Sequence, residues 1–193
     1  MKKIVLIGGG GHCKSCIDVI EQENLYEIVG ILDKKELIGE KISGYQYIGT
    51  DDDIERLTKK GNEFLITVGQ IKTVSIRKRI NRILEVNNSS LANVVSPRAY
   101  VSRKAKIGRG TIIMHDALIN AAVTIGDNCI INSKALIEHE VIIGDFCHIS
   151  TCAAVNGGAK IGQGTFFGSN AVCKEGAEIG CDSFIKAGEV IKE

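Results

Sequence analysis

Residues 125–150 read IGDNCIINSKALIEHEVIIGDFCHIS, and isoleucine returns at 125, 131, 137, 143 and 149. The phase runs well beyond this stretch. Stepping by six from Val101 meets Ile107, Ile113 and Ile119, then the five isoleucines above, then Val155, Ile161, Phe167, Cys173, Ile179, Ile185 and Ile191. Neither a helix turn of about 3.6 residues nor strand alternation of period two produces a six-residue phase. A longer period lies inside it, with Gly108, Gly126, Gly144, Gly162 and Gly180 each 18 residues apart. Four residues after the large apolar residue the slot is usually small, as at Ala105, Thr111, Ala117, Cys129, Ala135, Cys147, Ala153 and Ala159. Six residues to a face and three faces to a coil describe a triangular prism. The large aliphatic fills the interior, the small residue eases the corner, and polar residues are expected to point outward. Stacked coils then bury one continuous column that no single coil could bury alone. The expectation is an all-β parallel β-helix over residues 93–193.

Upstream the pattern is different. KIVLIG (3–8) reads as a buried strand, and HCKSCIDVIEQ (12–22) sets Cys13, Cys16, Ile17 and Ile20 at helical spacing. EIVGILD is a second strand ending at Asp33, and EFLITVG a third ending at Gly69. VSIRKRINRILEV (74–86) then repeats apolar residues at 76, 80, 83 and 84. Strand, helix and strand in that order predict a small parallel sheet covered by helices, an α/β Rossmann-like domain over residues 1–92.

Gly8–Gly11 follow the first strand directly. A glycine turn between strand and helix exposes backbone N–H groups at the positive end of the helix, and the missing Cβ lets an anion approach. Of the dinucleotide fingerprint G-x-G-x-x-G, Gly8 and Gly10 fill the first two places and Cys13 stands in the third; Asp33 falls where a ribose-binding acid belongs. The domain is short for two nucleotides. This disfavours a nicotinamide oxidoreductase and leaves one nucleotide, or a tight turn without a ligand, as the readings. Lys34, just past the second strand, offers a charge for phosphate.

Lys plus Arg is 24 against 23 for Asp plus Glu, which leaves no basic excess for nucleic acid. No apolar run approaches a membrane span, and no signal peptide is read at the N-terminus. Seven cysteines, an odd number, argue against a disulfide framework, and Cys13–Cys16 lack a second pair at zinc spacing. His115, His139 and His148 lie in the repeat, but their gaps do not fit a metal site, so no metal is expected. His139 stands two residues past the interior Ile137, at an outward corner, between Glu138 and Glu140. A neighbouring carboxylate can hold an imidazole in one tautomer, as a general base for acyl transfer requires. A solvated charge run is the competing reading.

The hexad pattern resembles that of the left-handed β-helix acyltransferases. The whole chain is similar to their sugar O- and N-acetyltransferase group, of the sialic acid O-acetyltransferase and UDP-N-acetylbacillosamine N-acetyltransferase type. IGGGGHCKSCIDVI, LDKK, TVGQ with IRKRI, SPRAYVS and NSKALIEHEVIIGDFCHIS carry that likeness in the family's order. The resemblance implies a left-handed coil, acetyl-CoA as co-substrate, and an amino sugar on a nucleotide as acceptor. It also implies a cytoplasmic homotrimer serving surface glycan synthesis. His139 matches the family's general base and Glu140 its supporting carboxylate. Gly10, Gly11, His12, Asp33, Lys34 and Gly69 match substrate-binding positions. His148, Gly157 and Gly168 match positions near acetyl-CoA, and Asn132 a further position beside the site. O-acetylation of sialic acid or a related sugar is the alternative, and an inactive nucleotide-binding scaffold a second one.

Overall fold

A computed structural model describes residues 1–192, and the chain divides into two units. The first comprises Met1–Gly69 and Ser75–Asn93; the second comprises Gln70–Val74 and the chain from Val94 onward.

In the first unit the apolar runs become β1 (Lys2–Ile7), β2 (Tyr26–Leu32), β3 (Lys41–Ile42), β4 (Tyr45–Gly49), β5 (Glu63–Ile66) and β6 (Ser90–Leu91). Three helices, α1 (Gly11–Glu23), α2 (Ile54–Lys59) and α3 (Ser75–Val86), alternate with them. The sheet order is β3-β4-β2-β1-β5-β6, parallel except for the β3–β4 hairpin. Val5, Ile7, Leu32, Phe64 and Ile66 form one core with Ile54 and Leu57 of α2 and Ile80 and Leu84 of α3. Ile4, Leu6, Ile31 and Leu65 are buried as well, so both faces of the sheet are covered, as a parallel sheet requires. In α3 the sequence pattern put Ile76 on the apolar face, but Ile76 is exposed and Arg77 is buried instead. The Arg77 guanidinium donates to Ile66 O at 2.8 Å and Val68 O at 2.6 Å, carbonyls at and just past the end of β5. That satisfaction lets a cation sit inside.

In the second unit every coil takes 18 residues. Three parallel sheets stack residue i on residue i+18, as in Ile113 on Ile131 and Ile137 on Val155. One face runs from Val94–Val95 to Phe184–Ile185, the next from Tyr100–Val101 to Val190–Ile191, and the third from Lys106–Ile107 to Glu178–Ile179. The hexad residues Ile113 to Ile179 line the buried column, and Val95, Val101, Ile107, Ile185 and Ile191 at its two ends are only partly covered. Burying each such side chain contributes about 1.5–3 kcal/mol. The phase begins one step before Val101, at Val95.

Two further regularities set the surface. From Gly110 every sixth residue turns a corner in the left-handed backbone region, including Asp116, Ala122, Asn128, Lys134, Glu140, Phe146 and Cys152 at φ between 55 and 61°. The small slot at one corner is also a hydrogen-bond donor. Thr111 Oγ1 donates to Gly126 O (3.0 Å), Cys129 Sγ to Gly144 O (3.2 Å), Cys147 Sγ to Gly162 O (3.1 Å) and Thr165 Oγ1 to Gly180 O (3.0 Å). The expectation of polar outward positions fails on two faces. One carries Val94, Ile112, Ile130, His148, Phe166 and Phe184, and the next carries Tyr100, Leu118, Leu136, Ala154, Val172 and Val190, with Tyr100 and Val190 59 % exposed. Inward packing fixes only alternate residues of each strand, so the outward ones follow a separate demand.

Candidate active site

The glycine turn lies at the C-terminal end of β1, where the sheet order reverses between β2 and β5. Ligands of open α/β sheets bind at such a point. Its glycines divide into two pairs. A Cβ on Gly8 would press into Val68, and one on Gly9 into the Tyr47 ring; Cβ atoms on Gly10 and Gly11 would meet nothing within 4 Å. The first pair therefore serves packing and the second borders open space. Asp33 clasps the turn, its carboxylate accepting from Gly9 N at 2.6 Å and Lys34 N at 2.7 Å, while Tyr47 donates to Gly9 O at 2.9 Å. Gly10 is the N-cap of α1 and supplies no side chain, and the first turn of α1 holds no acidic residue. The opening amides of α1 thus face outward at the helix's positive end. Gly69 lies beside His12, where an added Cβ would stand 3.5 Å from the His12 Cβ. Gly10, Gly11, His12 and Gly69 therefore gather at one rim, with Asp33 beneath it and Lys34 exposed next to it. Cys13, in the third fingerprint place, is buried, and burial pushes its thiol up to about 11. Burial raises Cys16 further still, so neither behaves as a nucleophile near neutral pH.

On the prism, His139 and Glu140 are the two central residues of a corner turn. The His139 side chain is 60 % exposed, and its Nδ1 faces Glu140 Oε2 at 3.3 Å. Paired this way, Nδ1 carries the proton and Nε2 presents its lone pair. One coil further, a Cβ on Gly157 would lie 2.7 Å from His139 Cε1 and 2.8 Å from Nε2. Glycine at 157 therefore provides the space the ring occupies. One coil back, Ala121 and Ala122 hold the equivalent corner. Glu138, the other flanking acid, accepts from Asn120 Nδ2 at 2.8 Å.

Asn132 and His148 form a separate network. His148 is buried, and its Nδ1 lies 2.6 Å from Gln70 O. A carbonyl only accepts, so Nδ1 carries the hydrogen. Asn132 Oδ1 accepts from Ser133 N at 2.8 Å, which turns Asn132 Nδ2 toward His148 Nε2 at 3.1 Å. Both ring nitrogens are thus engaged, and the ring meets Phe166 edge-on at 5.2 Å. Gln70 completes the clasp by donating from Nε2 to Phe146 O at 2.9 Å and Gly164 O at 3.1 Å. Gly168 N already donates to Ile185 O at 3.1 Å, and a Cβ there would crowd Ala187 N at 2.6 Å. Gly168 contributes close coil stacking rather than a spare amide. Sequence reasoning missed Gln70, Ala121 and Ala122. The two alanines could have been found by reading the corners at a spacing of 18. Among the described residues no group of three or more His, Cys, Asp or Glu is arranged to hold a metal ion, and no helix is long and apolar enough to cross a membrane.

Comparison with known proteins matches residues 3–84 to the PglD N-terminal domain, 104–139 to the bacterial transferase hexapeptide (six repeats), and 158–193 to the hexapeptide repeat of succinyl-transferase. UDP-N-acetylbacillosamine N-acetyltransferase of Bacillus subtilis strain 168 is 32% identical over 116 residues, 59% of this chain. The match spans about half of that enzyme's length (52%). PerB from Caulobacter crescentus, solved with CoA and GDP-perosamine, aligns over 100% of this chain and 90% of its own, with TM-score 0.91 and 29% identity. The acetyltransferase domain of PglB from Neisseria gonorrhoeae FA1090 aligns over 100% and 92%, with TM-score 0.92 and 28% identity.

Proposed function

This chain belongs to the hexapeptide-repeat sugar acetyltransferases, and on that premise we propose that it transfers acetyl from acetyl-CoA to the amino group of a nucleotide-linked sugar. Its rod is the left-handed parallel β-helix of that family. The observation that carries the proposal is the exposed His139 imidazole, supported by Glu140 and given room by Gly157. The relatives supply the substrate class, since the B. subtilis protein is a UDP-sugar N-acetyltransferase and PerB was solved with CoA and a GDP-linked sugar.

In this reading the acceptor nitrogen attacks the thioester carbon of acetyl-CoA. His139 Nε2 takes the proton that the nitrogen sheds, and Glu140 accepts from Nδ1–H and balances the cation that forms. The tetrahedral intermediate collapses, His139 passes the proton it took to the sulfur, and CoA leaves as its thiol. Gly10, Gly11, His12 and Gly69 hold the nucleotide sugar in the first unit, with the amides of α1 facing its diphosphate and Asp33 keeping the turn in shape. Lys34 adds a charge at the same rim. Asn132 and His148 hold the Gln70–Val74 segment in place, and Gly157 and Gly168 shape the surface along which acetyl-CoA lies.

We further propose a cytoplasmic homotrimer acting in surface glycan assembly. The unbroken apolar series Tyr100, Leu118, Leu136, Ala154, Val172 and Val190 supports self-association, because it borders the corner that carries His139. Light scattering on the purified chain checks the trimer, and a monomer would remove it. The activity is tested by incubating acetyl-CoA with UDP-, dTDP- and GDP-linked amino sugars and with sialic acid, and following free thiol. Thiol release with an amino sugar nucleotide is expected, and His139→Ala should lower kcat about 10²–10⁴-fold with the assembly intact. Release with sialic acid alone, or unchanged turnover in the variant, would overturn the reading.

A further inference from the structure

A cavity of about 250 Å³ opens on the rod between the Gln70–Val74 segment and two successive coils, which line it with Gly164, Phe166, Asp182, Ser183 and Phe184. Every residue of its wall belongs to the second unit. The outward column there is aromatic, with His148, Phe166 and Phe184 paired in register from coil to coil. The Phe166 and Phe184 rings lie nearly parallel, 5.2 Å between centroids and 19° between planes, and Phe184 is still 51 % exposed. Gln70 is the buried polar group of the wall, at 2 % exposure. Its Nε2 donates to Phe146 O and Gly164 O, two acceptors that fix which end of the amide is which. Among the described residues Oε1 has no hydrogen-bond partner, and its surroundings hide it from bulk solvent. A buried carbonyl left this way calls for a donor that the chain itself does not supply. Lys72 brings a cation to the same cavity, while Thr73 and Asp182 are already engaged.

From these observations we infer that the cavity is a nucleobase subsite that takes the adenine of acetyl-CoA. The base lies on the exposed ring of Phe184 and continues the stack, and its exocyclic N6 amine donates to Gln70 Oε1. The volume suits one ring system, being below the ~300–1,000 Å³ of pockets that enclose a whole drug-sized ligand. Lys72 supplies a point charge for the phosphates that the base carries. The donor is the fitting source of the base. Phe184 stands one coil past Phe166 and Gly168, on the rod along which acetyl-CoA lies in the reading above. The flexible pantetheine arm and diphosphate between thioester and adenine let the ring reach that coil.

The inference rests on the acetyltransferase reading, and binding keeps the two apart. Calorimetric titration of the full chain compares CoA with 1,N6-etheno-CoA, whose N6 has no hydrogen to donate, and wild type with Phe184→Leu. Wild type is expected to bind the etheno compound about 10-fold more weakly than CoA. Phe184→Leu should lower CoA affinity about 10- to 100-fold, with Phe184→Tyr close to wild type and the affinities for UDP and GDP unchanged. In turnover the acetyl-CoA KM rises in Phe184→Leu, whereas acetyl-pantetheine, which has no base, is used equally well by both proteins. Unchanged CoA affinity in Phe184→Leu overturns the subsite, and etheno-CoA binding as tightly as CoA overturns the contact with Gln70. An equal loss with acetyl-pantetheine overturns it too, as does a loss confined to UDP or GDP, which would give the cavity to the acceptor's base. A wild type that shows the expected CoA preferences yet releases no thiol with any amino sugar refutes the enzyme reading and leaves the subsite standing. Thiol release with CoA affinities that ignore the ring does the reverse.

Discussion

The glycines that open α1 and the glycines between the coils of the rod do opposite things, although the letter is the same. At the start of α1, Gly10 and Gly11 border empty space. In the rod the space beside Gly108, Gly126, Gly144, Gly157, Gly162 and Gly168 is taken. A Cβ on Gly126 would stand 2.7 Å from Asp145 N, and one on Gly157 would enter the His139 ring. Glycine beside a filled space serves packing; beside an open one it serves a left-handed turn, as at Gly158 and Gly176, or, where no such turn requires it, as at Gly10 and Gly11, it leaves room for a visitor. The thiols divide within the rod itself: Cys129, Cys147 and Cys173 are buried, as are Cys13 and Cys16 of the first unit, whereas Cys152 and Cys181 are exposed.

The contrast is broken most directly at Gly126. Gly126→Ala should cost about 1–3 kcal/mol of stability, because the neighbouring coil is backbone and cannot yield. A denaturant midpoint equal to wild type would remove the packing account. Gly157→Ala comes next. It should displace the imidazole and lower kcat roughly 10- to 100-fold with little change in Tm, since misplacement of about 1 Å is enough for that.

The thiols sharpen the same division. Native protein at pH 8 should be alkylated at Cys152 and Cys181 and spared at Cys13 and Cys16, as read by mass spectrometry. The pH dependence follows from the direction of the shift. Cys13 rises from 9.0 to about 11, so the folded state holds its proton more tightly than the unfolded chain does. That contribution is complete below pH 9 and is lost as pH climbs toward 11. Stability flat across this window would contradict the burial. The smallest effect belongs to Gly10→Ala. Stability should stay within about 0.5 kcal/mol, while the KM for the nucleotide sugar increases a few-fold.

Much of the rod was legible, because interior packing repeats at a spacing the eye can count, from Ile107 to Ile191. The strand–helix order of the first unit could be read for a similar reason, since β1, α1, β2, β5 and α3 each carry their own apolar period. The short β3–β4 hairpin and α2 carry too few residues for a period and were missed. So was the burial of Arg77, which depends on two carbonyls elsewhere in the chain rather than on any pattern in α3. The left-handed corners are silent for a different reason. Ala122, Glu140 and Phe146 adopt φ near +60° at about 1–2 kcal/mol each, and stacking imposes this where local preference would not. Among the site residues, a motif could point to His139 and Glu140. Nothing local marks Gln70, whose carbonyl reaches a histidine 78 positions away.

The in-register pairing of each residue with the one 18 positions on has a consequence for how such a molecule can change length. Deleting six residues upstream of His139 would rotate everything downstream by one face and carry the imidazole to a different edge of the prism. Deleting a whole coil would keep it on the same edge and move it along the rod by a single rung. The rod is therefore a ruler graduated in coils, on which the place of each corner residue is set by counting.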